Sequence, residues 1–254
     1  MYYYIFDIKK CRKKSLVIDI KNYLSSLGIS GEFTYPSAAY TTKELVNLGL
    51  SKKYNTIVGI GGDDIANDIA EALCGKNEAM GFIPIEATAD LETLIGAKNW
   101  KEACQNLRYR RIMEMKVGKT ANGKAFLCNV KLNFKRPTEV TLEFKNYIVK
   151  SLASNVMISN FKPEIKKIGE DYLDIIMESV NPNKSNFFKA ISGLIGLESD
   201  EKSLSLLRAR SLRIFTSAQI PISANDQMLA KTPQLIESSD ENLRLIIHRK
   251  GSDL

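Results

Sequence analysis

Apolar and polar positions alternate in two distinct rhythms along this chain. Over the first hundred residues, short apolar runs are separated by stretches of helical spacing. "MYYYIFDI" (1–8) is dense in aromatic and β-branched residues and predicts a strand. Ile20, Tyr23, Leu24 and Leu27 then fall at helical spacing, and Gly28 follows as a natural stop. "GEFTY" (31–35) predicts a short strand. "TTKELVNLGL" (41–50) predicts a helix, because Thr41 stands three residues before Glu44 in the spacing of a capping box. "NTIVGI" (55–60) is a buried strand ending in a glycine pair, and Ile65, Ile69, Ala72 and Leu73 mark the apolar stripe of the next helix. "MGFIPI" (80–85) predicts another strand, and "DLETLIG" and "NWKEACQNL" predict helices. Strands alternating with helices imply a parallel sheet covered on both faces.

The rhythm changes after about residue 108. "RRIMEMKVGKTANGKAFLCNVKLNF" (110–134) predicts two strands around a turn at Asn122-Gly123. Further strands are predicted at 138–144, 155–159, 171–177, 212–216 and 243–248, and one helix at 186–197. The predicted fold class is α/β plus β. A three-layer, Rossmann-like α/β lobe (1–108) leads into a mostly antiparallel β-sandwich lobe (109–254). A cleft lies between them, and the last segment is able to pack back on the first lobe.

Charge narrows the choice of partners. The formal net charge is +7, with the densest basic run at Lys9, Lys10, Arg12, Lys13 and Lys14, which favours anionic partners such as nucleotides or an acidic membrane surface. That run also reads as a plain solvated turn. No interleaving of aromatic and basic residues accompanies it, which argues against nucleic acid. Four widely spaced cysteines (Cys11, Cys74, Cys104, Cys128) and a single histidine exclude a zinc knuckle, a CxxC redox pair and a His-rich metal site. No apolar run reaches the roughly 18 residues needed to span a membrane, and the N-terminus lacks the order of a secretory signal. The expected location is therefore cytoplasmic, with contact at the inner membrane surface allowed.

The glycine pair is the most informative local feature. "GKT" at 118–120 fails as a Walker A loop because Met113 stands where the first glycine belongs. Gly59 and Gly61 begin a dinucleotide fingerprint that Asp64 breaks. A more specific signal is the ordered pair "GIGGDDIANDIAEAL" and "GFIPIEATADLETLIG". Together these resemble the two nucleotide-binding motifs of the diacylglycerol kinase catalytic domain family, relatives of the NAD kinases: a GGDGT loop with N-E in the following helix, then P-L-G-T-x-N-D. Gly61, Gly62, Asp63, Asn67 and Asp68 keep the first pattern, with Asp for Glu at its end. Pro84 and Asp90 keep the second, and "LIG" (94–96) matches its continuation. "GKAFLCNVKL", "EDYLDIIM" and "PISANDQMLAKTPQLIESSDENLRLII" resemble later segments of the same family in the same order.

This resemblance implies an ATP- and Mg²⁺-dependent kinase acting on a lipid or other small hydroxyl substrate. Nucleotide would lie on Gly61, Gly62, Asp63 and Asp64, with Asn67 and Asp90 organising the loops and Asp63 as the metal ligand. The resemblance puts the neutral Asn225 at the proton-accepting position. Asp226, reached by a slip of one residue, is the remaining base candidate, and a homodimer is compatible with the resemblance. The departures fall at the working positions. Asp64 and Ile65 replace Gly and Thr; Glu86, Ala87 and Ala89 replace Gly, Thr and Asn; Asn225, Asp226 and Gln227 replace Asp, Gly and Glu; and "FDIKKCRKK" replaces the N-P-x-S-G opening loop. A carboxylate about 4 Å from a phosphate oxygen is repelled by roughly 4 kcal/mol at an effective dielectric near 20. Asp63, Asp64 and Glu86 therefore either share a divalent cation with the nucleotide or mark a kept fold whose kinase site has lapsed, leaving a non-catalytic pseudokinase that binds lipid, nucleotide or protein.

Asp90 is expected to cap its helix, and Asn67 to tie one loop to the next. His248 is expected to pack as a neutral ring and Trp100 to plug a helix–sheet contact. "RYRR" (108–111) reads as a phosphate contact or a linker, and 186–197 as a lipid cover or a core helix.

Overall fold

The computed structural model describes residues 1–161, 171–180, 202–225 and 227–248. The predicted helix at 186–197 and the proposed base Asp226 lie outside the described residues. The α/β half runs β1 (Tyr2–Phe6), α1 (Lys14–Ser26), β2 (Gly31–Thr34), α2 (Thr42–Ser51), β3 (Thr56–Gly61), α3 (Asp63–Leu73), β4 (Ala79–Pro84), α4 (Ala89–Ile95) and α5 (Trp100–Tyr109). β5 (Arg111–Met115) follows, and the chain then leaves for a second sheet made of β6 (Gly118–Thr120), β7 (Ala125–Phe126), β8 (Asn129–Glu143), β9 (Ile148–Ser159), β10 (Leu173–Val180), β11 (Lys202–Ala209), β12 (Ser211–Thr216), β13 (Pro221–Ala224), β14 (Gln227–Lys231) and β15 (Gln234–Ser238). β16 (Leu243–Ile247) returns to the first sheet, whose order is β2-β1-β3-β4-β16-β5. All its pairings are parallel except β16 with β5. Every pairing in the second sheet is antiparallel.

Side chains alternate across the first sheet, and both faces carry helices. A Cβ on Gly49 of α2 would strike Ile57 and Tyr3, and one on Gly59 would meet Ile69 of α3. On the opposite face a Cβ on Gly81 would strike Leu107 of α5, and the Tyr2 hydroxyl donates to the Leu107 carbonyl at 2.9 Å. Burial on both sides explains why β3 and β4 are uninterrupted apolar runs.

Several local signals act as their chemistry suggests. Thr41 and Glu44 form the reciprocal capping box of α2. Gly28 takes φ 72 just past α1. Asn122-Gly123 sits between β6 and β7, with Gly123 at φ 81.

Other expectations need correcting. The two strands predicted in 110–134 pair across the Asn122-Gly123 turn only as the short β6–β7 hairpin of the second sheet; the earlier part, β5, pairs with β16 instead. Residues 129–143 form one long strand with a register shift between Asn133 and Thr138. β11, β13, β14 and β15 were not foreseen. Trp100 packs edge-on against Tyr23 of α1 at 5.6 Å between ring centroids, a helix–helix contact in place of the expected helix–sheet one.

Candidate functional site

The C-terminal ends of β1, β3 and β4 lie side by side, so the loops that leave them share one rim. β1 goes left to β2 and the chain then returns to β3 on its other side. This makes the β1–β3 junction a topological switch point, where open α/β sheets bind ligands.

Gly61 takes φ 156, and a Cβ there would lie 2.4 Å from the Asp7 Cβ, so this close crossing of the two loops requires glycine. The Asp7 N–H donates to the Ile60 carbonyl at 2.8 Å. Gly62 caps α3, which begins at Asp63. Asp64 lies in the first helical turn, so it needs none of the positive φ that a glycine at this position would permit.

The two signature segments meet directly. The Ile85 N–H donates to the Gly61 carbonyl at 2.8 Å. Asp63 spans the gap: its Oδ1 accepts from the Thr88 N–H at 2.8 Å and its Oδ2 from the Thr88 hydroxyl at 2.7 Å. Thr88 is in turn the N-cap of α4, accepting from the Leu91 N–H, which corrects the expectation that Asp90 caps this helix. Both residues can cap. Thr88 takes the place because Asp63 orients its hydroxyl, and this leaves Asp90 free to accept from Asn129 Nδ2 at 2.8 Å. Asn67 does not tie loop to loop. It is buried, and its Oδ1 accepts the Leu127 N–H at 3.0 Å, fastening α3 to the β7–β8 connection of the second sheet. Cys128 sits beside these carboxylates. Burial, followed by the charges of Asp63 and Asp90, pushes its thiol well above the ordinary range.

Over the glycine pair lies the β1–α1 loop. The Lys10 side chain crosses Gly62, and its Nζ is 3.4 Å from the Glu86 carboxylate. Glu86 is held at φ 54, in the left-handed region that favours glycine. The departure from glycine read in the sequence therefore falls where the backbone still has glycine's shape. The same loop lines a cavity of about 430 Å³ between the ends of β1 and β2. Phe6, Phe33 and Tyr35 line its apolar part, Arg12, Lys14 and Lys21 add three cations, and no acidic residue is among the described lining.

Farther along α3, Asp68 is partly buried. Burial raises its pKa, while Lys124, Lys43 and a hydrogen bond from Gln227 oppose the shift. Glu71 takes the Lys43 ammonium and lies 4.0 Å from Lys124. Gln227 thus brings the C-terminal motif against the helix of the glycine motif, although spacing alone gave no sign that Lys43 and Lys124 would join it. Asn225, beside Asp226 in the sequence, takes φ 50.

Among the described residues no three His, Cys, Asp or Glu side chains converge as a metal site. Asp63 directs one oxygen to the Thr88 N–H and the other to its hydroxyl, and each oxygen keeps a lone pair for a further partner. Arg110 Nη2 donates to the Thr56 hydroxyl at the start of β3, the end of the strand opposite the glycine pair. The linker reading of "RYRR" fits this position. The His248 N–H donates to the Ile95 carbonyl just beyond β16.

No family model matches the sequence, and no curated protein matches it significantly. Solved structures do match. A diacylglycerol kinase from Bacillus anthracis str. Sterne is 18% identical over 98% of this chain and 97% of its own, with a TM-score of 0.75. Two further structures from that organism, provisionally assigned to the same activity, give TM-scores of 0.76 and 0.77 at 18% and 17% identity, over 97% and 98% of this chain and 97% of each of theirs. At such identities the likeness is one of fold. The resemblance read from the ordered loops holds at that level along nearly the whole chain.

Proposed function

We propose that this chain binds ATP at the rim formed by β1, β3 and β4 and acts as a lipid-kinase-type phosphotransferase. In this reading residues 1–108 are the nucleotide-binding lobe and 109–254 the β-sandwich substrate lobe, with the acceptor hydroxyl entering the cleft between them. The observation that carries it is the cavity of about 430 Å³, apolar and aromatic with three cations, on the same loop that crosses the glycine pair. β2 and β3 flank β1 and so stand roughly 10 Å apart. A base in the cavity and phosphates over Gly61 and Gly62 would straddle that distance. Asp63, Asn67 and Asp90 would hold the loops in register through Thr88, Leu127 and Asn129. Asp226 would take the acceptor's proton. Magnesium would arrive with the nucleotide's own phosphates.

A second reading keeps nucleotide or lipid binding without transfer. It is favoured by amides at Asn225 and Gln227, where the resemblance expects carboxylates, and by the double tether on Asp63. An amide cannot serve as a general base. Both readings fit a cytoplasmic protein that meets an anionic membrane surface through its basic residues, alone or as a homodimer. Among the described residues no helix is long and apolar enough to cross a membrane.

Incubation with γ-labelled ATP and a panel of lipid extracts separates the readings. Label in an organic-phase product that is lost in Asp226→Asn supports the kinase. ATP binding with no labelled lipid supports the non-catalytic reading.

A further inference from the structure

The Lys10–Glu86 pair has a chemistry that the loops around it do not explain. Its side chains are 35% and 69% exposed, so it contributes little to stability by itself. Yet both partners border the glycine turn: a Cβ placed on Gly62 would lie 3.3 Å from the Lys10 Cε and 3.6 Å from the Glu86 carbonyl oxygen. Neighbouring carboxylates are engaged elsewhere. Asp63 is held by Thr88, and Asp7 accepts from the Lys9 N–H at 2.8 Å. Arg12 of the same loop and Lys14 at the start of α1 line the cationic cavity.

We propose that Lys10 is the phosphate-binding cation of this crevice and that Glu86 is an intramolecular stand-in for the phosphate. An incoming polyphosphate takes the Lys10 ammonium from the Glu86 carboxylate, which swings out to solvent. The proposal rests on the nucleotide reading above and deepens it, naming the group that receives the terminal phosphates. A lysine brought in by the replaced opening loop thus supplies a cation beside the glycine turn.

The test is titration calorimetry of the full chain with ATP, adenosine and inorganic tripolyphosphate, each in EDTA and in magnesium. Lys10→Ala is expected to weaken ATP and tripolyphosphate roughly tenfold to a hundredfold, as befits the loss of a charge-assisted contact, and to leave adenosine unchanged. Lys10→Arg is expected to keep most of the affinity. Glu86→Gln, which removes the competitor while keeping the side chain's size, is expected to tighten ATP several-fold. If Lys10→Ala binds ATP as tightly as the unaltered chain, or loses adenosine equally, Lys10 is a packing residue and the inference is overturned. If the unaltered chain binds none of the three ligands, the nucleotide reading itself falls and the inference with it.

Discussion

At the scale of single residues, the rim is held together by carboxylates and amides that serve as ties. Asp63 holds Thr88, Asp90 holds Asn129, and Asn67 holds the Leu127 N–H. Asp68 behaves differently, because its charged form is penalised by burial more than its neighbours repair. A carboxyl whose folded pKa is raised binds its proton more tightly in the folded chain than in the unfolded one. Stability therefore falls as pH rises from the ordinary aspartate value, about 3.9, through the raised folded value, and stays lower above it. Asp68→Asn removes that penalty. The variant is expected to be more stable than the unaltered chain in urea unfolding at pH 7, with the difference vanishing well below pH 3.9. A variant less stable at pH 7 would show that the ion pairing with Lys43 and Lys124 outweighs burial. Residue identity revealed which side chains carry chemistry, but not their partners. Thr88 and Asp90 are both competent caps, and only the position of Asp63 decides between them.

At the scale of elements, legibility followed burial. β1, β3 and β4 are covered on both faces, so their apolar runs stand out, and the capping box of α2 and the glycine after α1 mark helix ends by local chemistry alone. β8 and β9 were only partly legible, since exposed polar positions and a register shift interrupt their alternation. β13, β14 and β15 bury only one or two positions apiece, so no apolar run marks them. The pairing of β16 with β4 and β5 joins segments more than a hundred residues apart and has no local signal. Asn67 acts at this scale, since it fastens a helix of the first sheet to the β7–β8 connection of the second. Asn67→Ala would leave the buried Leu127 N–H without an acceptor, at an expected cost of about 2 kcal/mol in chemical denaturation. Asn67→Asp, which keeps the acceptor oxygen, is expected to cost less. Equal stability of Asn67→Ala and the unaltered chain would show that the tie is replaceable.

For the whole molecule, two sheets of different character are joined by the crossing after β5 and by the return of β16. The chain shares its fold with solved structures at 17–18% identity, with TM-scores of 0.75 to 0.77. The α/β plus β class and the meeting of residues 61–68 with 84–90 were readable from the ordered apolar runs and loop motifs. The Lys10–Glu86 pair and the cationic cavity were not, because they depend on where the replaced opening loop comes to rest. The central claim is that this rim receives a nucleotide. Thermal unfolding of the purified chain with and without millimolar ATP, in the presence and absence of magnesium, tests it most directly. At about a hundred times Kd, ATP is expected to add roughly 2.7 kcal/mol, which raises Tm by roughly 5–10 °C for a chain of this size. An unchanged Tm under both conditions would contradict it.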